Sequence, residues 1–178
     1  LIPGGVTSVL VNLHYLSDQV EAYIEKSPYR DYIHTVYEKE LLGTAGTLLE
    51  NQAFFKNDVL MLIHADNLSW FNLKDFIRAH DSRPEYCDIT MMTFETDTPE
   101  TCGIVELDEN GVVQAFHEKV ARPPGNLANG AVYILEPGIL GFLKKMGKHI
   151  IDFSTEVLPH YMGKIYTFNN KQYHRDIG

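Results

Sequence analysis

Cysteine is scarce. Cys87 and Cys102 are the only two, and they form no CxxC pair, so no disulfide framework is available. They read as reduced thiols of a cytosolic protein. Positive charge is short as well: 15 Lys and Arg stand against 24 Asp and Glu, a formal net charge of −9. That leaves no basic footprint of the kind a duplex nucleic-acid binder needs. A small anionic ligand is still allowed, because a few local cations, a metal and backbone N–H groups can hold a phosphate inside an acidic protein. No apolar run reaches the roughly 18 residues that cross a bilayer. Leu1-Ile2-Pro3-Gly4-Gly5 has neither the basic start nor the apolar stretch of a signal peptide. A cytoplasmic location without membrane or nucleic-acid partners is therefore expected. The histidines, His14, His34, His64, His80, His117, His149, His160 and His174, show no HxH, HExxH or HxxxH spacing, which argues against zinc. GxSxG, Walker A and GxGxxG patterns are also missing.

What is present is the composition of a soluble domain with a core. Of 178 residues, 44% are hydrophobic and 22% charged, which suits one domain of ordinary size. The pattern alternates strand and helix. Val6 to Leu13 reads as a buried strand, and a helix follows from Ser17-Asp18, with Glu21 completing a capping box and Val20, Tyr23 and Ile24 as its buried stripe. Tyr32 to Tyr37 is a second strand. The turn Leu42-Gly43-Thr44-Ala45-Gly46 opens a helix to about Asn51. Val59 to Ala65, apolar almost throughout, reads as a central parallel strand and ends at Asp66. Asn72 caps a helix carrying Leu73, Phe76 and Ile77, and Asp88 to Phe94 is the next strand. Up to here the order is βαβαβαβ, the signature of a parallel α/β sheet.

The character then changes. Gly103–Leu107 and Val112–Phe116 flank Asp108-Glu109-Asn110-Gly111, a strong hairpin signal. Ala128 to Leu135 is a further strand. Pro137 starts a helix with Ile139, Leu140 and Leu143 inward, ending near Gly147. A short helix from Asp152 or Ser154 to about Pro159, and strands at Ile165–Phe168 and Gln172–Asp176, close the sequence.

Chemistry-bearing residues fall at the ends of these elements. Asp66 follows the central strand, where ligands bind in open α/β sheets. A carboxylate there suits Mg²⁺ shared with substrate phosphates, or it simply caps the turn into Asn67-Leu68. Asp176 ends the last strand. Paired with Asp66 it could anchor a triphosphate; alone it is a surface carboxylate. Gly43-Thr44-Ala45-Gly46 lets backbone approach a ligand, with N–H groups at a helix start, or it is an ordinary strand-to-helix turn. Glu118-Lys119 offers an acceptor for sugar hydroxyls and a cation for a monophosphate, or two solvated charges. Asn129, inside Leu127-Ala128-Asn129-Gly130-Ala131-Val132-Tyr133, needs a partner that is either structural or a ligand.

Taken in order, the strand-N-x-H-Y segment, LGTAG, a strand ending in HAD, CGIVELDENG, EK, LANGAVYIL and DIG resemble the sugar-1-phosphate nucleotidyltransferase family over essentially the whole chain. The likeness is nearest to the guanylyltransferases acting on mannose or heptose 1-phosphate. The resemblance implies a Rossmann-like α/β fold of GT-A-like type. It would have a mostly parallel central sheet, helices on both faces and an antiparallel sugar-binding insertion, in one domain spanning 1–178. It further implies an NTP and a sugar 1-phosphate as substrates, with self-association left open. Gly43, Thr44 and Ala45 would lie against the base, and Asp66 and Asp176 would bind Mg²⁺. Gly103, Glu118 and Asn129 would contact the sugar, and Lys119 its phosphate. Attack by the sugar phosphate on the α-phosphorus would make Asp66, Lys119 and Asp176 the catalytic residues.

Two departures bear on this. Val120 stands where the family usually has a proline after Glu-Lys. The family's GxGTR loop with its lysine would precede Leu1, so the chain is expected to be a fragment, trimmed at both ends and slow by itself. A catalytically silent sugar-phosphate-binding relative is the alternative. A nucleotide-sugar glycosyltransferase is disfavoured, because His64-Ala65-Asp66-Asn67 carries a single aspartate where a DxD is common.

Overall fold

The structure, a computed structural model, describes residues 1–56 and 58–177. The first βαβ unit joins β1 (Val9–Leu13) through α1 (Ser17–Glu25) to β2 (Ile33–Tyr37), with Val9 opposite Ile33 in a parallel two-stranded ladder. Its interior is thinner than the sequence suggests. Only Leu13 of β1 is buried, and α1 buries none of its residues. Tyr23 is 78% exposed and Val20 36%, so of the expected stripe only Ile24 is even half-buried. The expected capping box is also not used. Leu16 occupies the N-cap in a left-handed conformation with no side-chain cap bond, and Asp18 serves only as an acid in the first turn.

The second half of the fold is built around β8 (Leu127–Leu135). Helix α2 (Thr44–Glu50) is followed by β3 (Leu60–Ile63) and β4 (Asn67–Ser69), and helix α3 (Leu73–Asp81) leads into β5 (Ile89–Glu95). The hairpin β6 (Gly103–Leu107) and β7 (Val113–Glu118) then leads into β8, α4 (Gly138–Met146), β9 (Ile165–Asn169) and β10 (His174–Asp176). The large sheet runs β7-β6-β8-β5-β9, with β3 also on β8. The α/β class holds, but the sheet expected to be mostly parallel is mixed. Parallel pairing is confined to β1–β2 and β5–β9, while β3, β5 and β6 all pair antiparallel to β8. The cause is topological: β3 and β5 do run the same way, joined through α3, but β8 lies between them and separates the pair. Because β3 meets β8 on one edge only, just Leu60 of it is buried.

The period-2 alternation of β8 sorts its side chains between two cores. Val132 and Ile134 join Phe76 and Met92 under α3, whereas Tyr133 and Leu135 join Met91, Ile139, Leu143 and Phe153 under α4 and the following short helices. Each such aliphatic or aromatic side chain fully removed from water contributes about 1.5–3 kcal/mol. Helices thus cover both faces of β8, as expected. The local punctuation also follows the chemistry of the residues. Asn72 accepts from Lys74 N at 3.1 Å to cap α3, and the Asp108 carboxylate accepts from Asn110 N and Val112 N at 2.9 and 3.0 Å to close the hairpin. Gly147 ends α4 at φ 64°.

Candidate active site

β4 and β10 form a short antiparallel ladder that the sequence pattern gave no reason to expect, since three residues are too few for a period. In it Asp176 lies opposite Asn67, and Ile177 N donates to Asp66 O at 2.8 Å. The backbone at Asp66 and at Asp176, 110 positions apart in sequence numbering, is therefore brought together at one end of this ladder. Both residues are exposed. The ladder is fastened to the large sheet by His174, whose Nδ1 meets Ser69 Oγ at 2.7 Å and whose ring lies 4.1 Å from that of Phe94 on β5. Burial holds the His174 ring below the ordinary histidine pKa, with Asp176 pulling the other way.

The strand β8 carries an irregularity at this point. Its register with β5 shifts between Met91 and Thr93, and Ala131 adopts φ 50° inside the strand. For a residue with a Cβ this is a sparsely populated conformation. It is held in place by Asn129, whose Oδ1 accepts from Ala131 N at 3.0 Å while its Nδ2 donates to Tyr133 Oη at 2.7 Å. The partner demanded by the Asn129 amide is thus structural at both ends. Burial pushes the Tyr133 hydroxyl up to about 12, against the pull of its hydrogen bonds with Asn129 and Ser154, so it remains a neutral phenol. Ala131 O in turn accepts from His64 N at 3.1 Å, two residues before Asp66. The bulge therefore sets where the Asp66 turn leaves the sheet. The His64 Nε2 atom is enclosed and has no partner among the described residues.

On the other flank of β8, Gly103 pairs with Glu118 across the hairpin, and Ile104 pairs with Ala128. Gly103 is needed for space: a Cβ there would fall 2.6 Å from Phe116 Cζ and 2.7 Å from Glu118 Oε2. Lys119 follows at φ 48°, its N–H donating to Cys102 O at 3.1 Å. Gly103, Glu118, Lys119 and Asn129 are in this way gathered at adjoining positions of β6, β7 and β8. Glu118 and Lys119 are exposed.

The Gly43 turn is tied to the same hub by a different route. Tyr133 stacks on Phe153 with centroids 4.9 Å apart, and Phe153 N donates to Thr44 Oγ1 at 3.0 Å. The helix-start N–H groups of Ala45 and Gly46, read from the sequence as available to an anion, both donate to Ile151 O, at 3.0 and 3.1 Å. Ala45 is fully buried. The two glycines answer first to packing, since a Cβ on Gly43 would lie 2.5 Å from Ile151 O and one on Gly46 2.7 Å from His149 O. What Gly43 and Thr44 keep is partial exposure along the backbone of the turn. Among the described residues no group of three or more His, Cys, Asp or Glu gathers to hold a metal by itself. Asp66 and Asp176 each offer carboxylate oxygens, the ligand type that hard cations take. A hollow lined by Leu1, Ser69, Trp70, Phe71, Leu73 and Gln172 borders the β4–β10 ladder without including a candidate residue.

An α/β sheet with Asp66 just after the end of β3 is of the class of fold in which ligands bind at strand ends. The Nucleotidyl transferase family profile matches residues 1–178, and the chain belongs to that family. It is 28% identical to the mannose-1-phosphate guanylyltransferase of Mycobacterium tuberculosis over 180 residues, covering 98% of this chain and 49% of that protein. It is likewise 28% identical to mannose-1-phosphate guanyltransferase beta-A of Xenopus laevis over 185 residues, covering 100% and 50%. The chain spans about half the length of the curated relatives it matches. Its fold is shared with HddC from Yersinia pseudotuberculosis at a TM-score of 0.81 and 22% identity, over 99% of this chain and 75% of that one. No helix among the described residues is long and apolar enough to cross a membrane.

Proposed function

We propose that the protein containing this chain joins a sugar 1-phosphate to an NTP, releasing pyrophosphate and forming a nucleotide-diphosphate sugar. The observation that supports this reading is the β4–β10 ladder, in which Asp176 pairs with Asn67 and Ile177 N donates to Asp66 O, so that both chain segments meet near the bulge of β8. The curated relatives, named as mannose-1-phosphate guanylyltransferases, favour GTP and mannose 1-phosphate; a heptose 1-phosphate is the other sugar of choice. A cytoplasmic location is part of the same proposal.

In this reading Asp66 and Asp176 hold Mg²⁺, which neutralises phosphate charge when bound. Gly43 and Thr44 present the partly exposed backbone of the turn to the base, with the buried Ala45 supporting it from beneath. Lys119 meets the phosphate of the sugar 1-phosphate as a point charge, and its left-handed backbone directs the chain away from Glu118 immediately after the strand. Glu118 accepts from sugar hydroxyls, with Gly103 leaving room for its carboxylate. Asn129 keeps a second amide hydrogen and a second lone pair beyond its two internal bonds, and these serve the sugar. A phosphate oxygen of the sugar 1-phosphate then attacks the α-phosphorus in line, the α–β P–O bond breaks, and its electron pair leaves with pyrophosphate. No side chain is consumed, so the rate comes from positioning and charge neutralisation.

The test is a pyrophosphate-release assay on the full natural chain with Mg²⁺, crossing GTP, dTTP, UTP and CTP with mannose, glucose and heptose 1-phosphates. Release with one matched pair, absent when either substrate is omitted, is the expected result. A folded protein that binds sugar phosphate yet releases nothing with any pair is a binding module.

A further inference from the structure

Among the described residues Glu38 is the one aspartate or glutamate that is buried, at 5% exposure. It follows β2 directly and takes no part in the chemistry above. Burying a carboxylate costs free energy unless its oxygens are hydrogen-bonded, and here both are. Oε1 accepts from Thr47 Oγ1 at 2.5 Å, and Oε2 accepts from Leu42 N at 3.3 Å. Leu42 precedes Gly43 and Thr47 follows Gly46, so one carboxylate spans the Gly43-Thr44-Ala45-Gly46 turn from both flanks.

The backbone of Glu38 faces the other way. Its N–H donates to Leu13 O at 2.8 Å, continuing the β1–β2 ladder, and its carbonyl meets His14 Nδ1 at 2.7 Å. The opposite side of the turn is held by Ile151, whose carbonyl takes Ala45 N and Gly46 N and whose N–H donates to Leu42 O at 2.8 Å. The turn is thus clamped between the 149–153 segment and Glu38, and Glu38 links it to the first βαβ unit.

We propose that Glu38 is a positioning residue for nucleotide recognition: its carboxylate holds the Gly43-Thr44-Ala45 turn at the spacing from β1 and β2 at which the base is received. This rests on the assignment of that turn to the base. The geometry asks for two hydrogen-bonding groups at the right reach, one of them an acceptor for Leu42 N, and not for negative charge. A glutamine keeps the length. Its Oε1 accepts from Leu42 N while its Nε2 donates to Thr47 Oγ1, whose own proton turns to Gly43 O, already 3.2 Å away. An aspartate keeps the charge but is one methylene short. Glu38→Gln should therefore function where Glu38→Asp and Glu38→Ala do not.

The experiment compares wild type, Glu38→Ala, Glu38→Gln, Glu38→Asp and the milder Thr47→Val in the full natural chain. It measures KM for NTP and for sugar 1-phosphate by pyrophosphate release, and amide hydrogen exchange at Leu42 to Thr47. Glu38→Ala is expected to raise the NTP KM about tenfold or more and the sugar 1-phosphate KM less than about twofold, with Glu38→Gln within about threefold of wild type. Loss of exchange protection should be confined to the turn in Glu38→Ala and Glu38→Asp and restored in Glu38→Gln. If Glu38→Ala fails to fold, Thr47→Val, which removes one of the two bonds, should show the same KM split on a smaller scale. Equal rises in both KM values, or a folded Glu38→Gln as impaired as Glu38→Ala, overturns the proposal. If wild type releases no pyrophosphate with any pair, the functional reading has failed. NTP binding by calorimetry and exchange at the turn then decide the role of Glu38, and unchanged values in Glu38→Ala refute it.

Discussion

Replacing Gly103 by alanine tests how tightly the sugar end of the site is built. The backbone of Gly103 is not left-handed, so the substitution acts through the added methyl alone. That carbon would lie 2.6 Å from Phe116 Cζ and 2.7 Å from both Phe116 Cε2 and Glu118 Oε2, against an ordinary contact of 3.4–4 Å. The ring edge and the carboxylate must both retreat by roughly 1 Å, and a misplacement of that size in a substrate-positioning group costs about 10²-fold. Glu118 is exposed and can move outward, whereas Val105 and Val113 beside the ring are buried, so the carboxylate takes most of the displacement. Gly103→Ala should lower kcat/KM for the sugar 1-phosphate by roughly 10–100-fold with the NTP KM little changed. Overpacking of about 1–3 kcal/mol should accompany it, read as a Tm lower by roughly 2–10 °C. In a Glu118→Ala background the same change should cost much less activity, because the displaced group is already gone. Full additivity of the two losses, or a Gly103→Ala enzyme within twofold of wild type, would refute the reasoning.

Lys119→Ala should weaken the sugar 1-phosphate more than the NTP, by about 10–100-fold in KM for the former; equal losses for both contradict its role. The His80 ring, 4% exposed, is held below the ordinary histidine pKa of 6.5, first by burial and then by the Arg83 guanidinium, with Glu136 opposing. Its folded-state pKa is the lower one, so unfolding takes up a proton below pH 6.5 and stability falls as the pH drops through that value. Thermal unfolding should show this acid-side loss from about pH 6.5 downward, and His80→Gln should reduce its slope; an unchanged slope removes His80 from the account.

The sequence was most legible where a single residue dictates local geometry. Asn72 as a helix cap, the Asp108–Gly111 hairpin and Gly147 as a helix stop are all found as read. Strand pairing was less legible, since alternation in Val132 to Leu135 reports two covered faces but not that β8 lies between β3 and β5. The stripe Val20, Tyr23 and Ile24 has the right spacing for burial, yet only Ile24 is half-buried and Val20 and Tyr23 are exposed. At the site, the positions of Asp66, Asp176, Glu118 and Lys119 at strand ends are readable from pattern, but the meeting of the Asp66 and Asp176 segments depends on β4, a three-residue strand below the reach of periodicity. A polar amide such as Asn129 inside an apolar strand requires a partner. That the partner is Tyr133, four residues along the same strand, follows only from the left-handed Ala131 between them. Glu38 sits in Glu38-Lys39-Glu40, which any pattern reads as a solvated run. Nothing short of the fold shows that its first member turns inward.

The claim on which the account rests is that the β4–β10 ladder makes Asp66 and Asp176 one cation-and-phosphate site. Mg²⁺-dependent NTP binding, measured by titration calorimetry for wild type, Asp66→Asn, Asp176→Asn and the double variant, addresses it directly. The account expects each single change to remove most of the Mg²⁺ dependence, about tenfold or more in Kd, and the double change to add little beyond either. Mg²⁺-dependent binding left intact in either folded single variant, or losses that simply add, would contradict it.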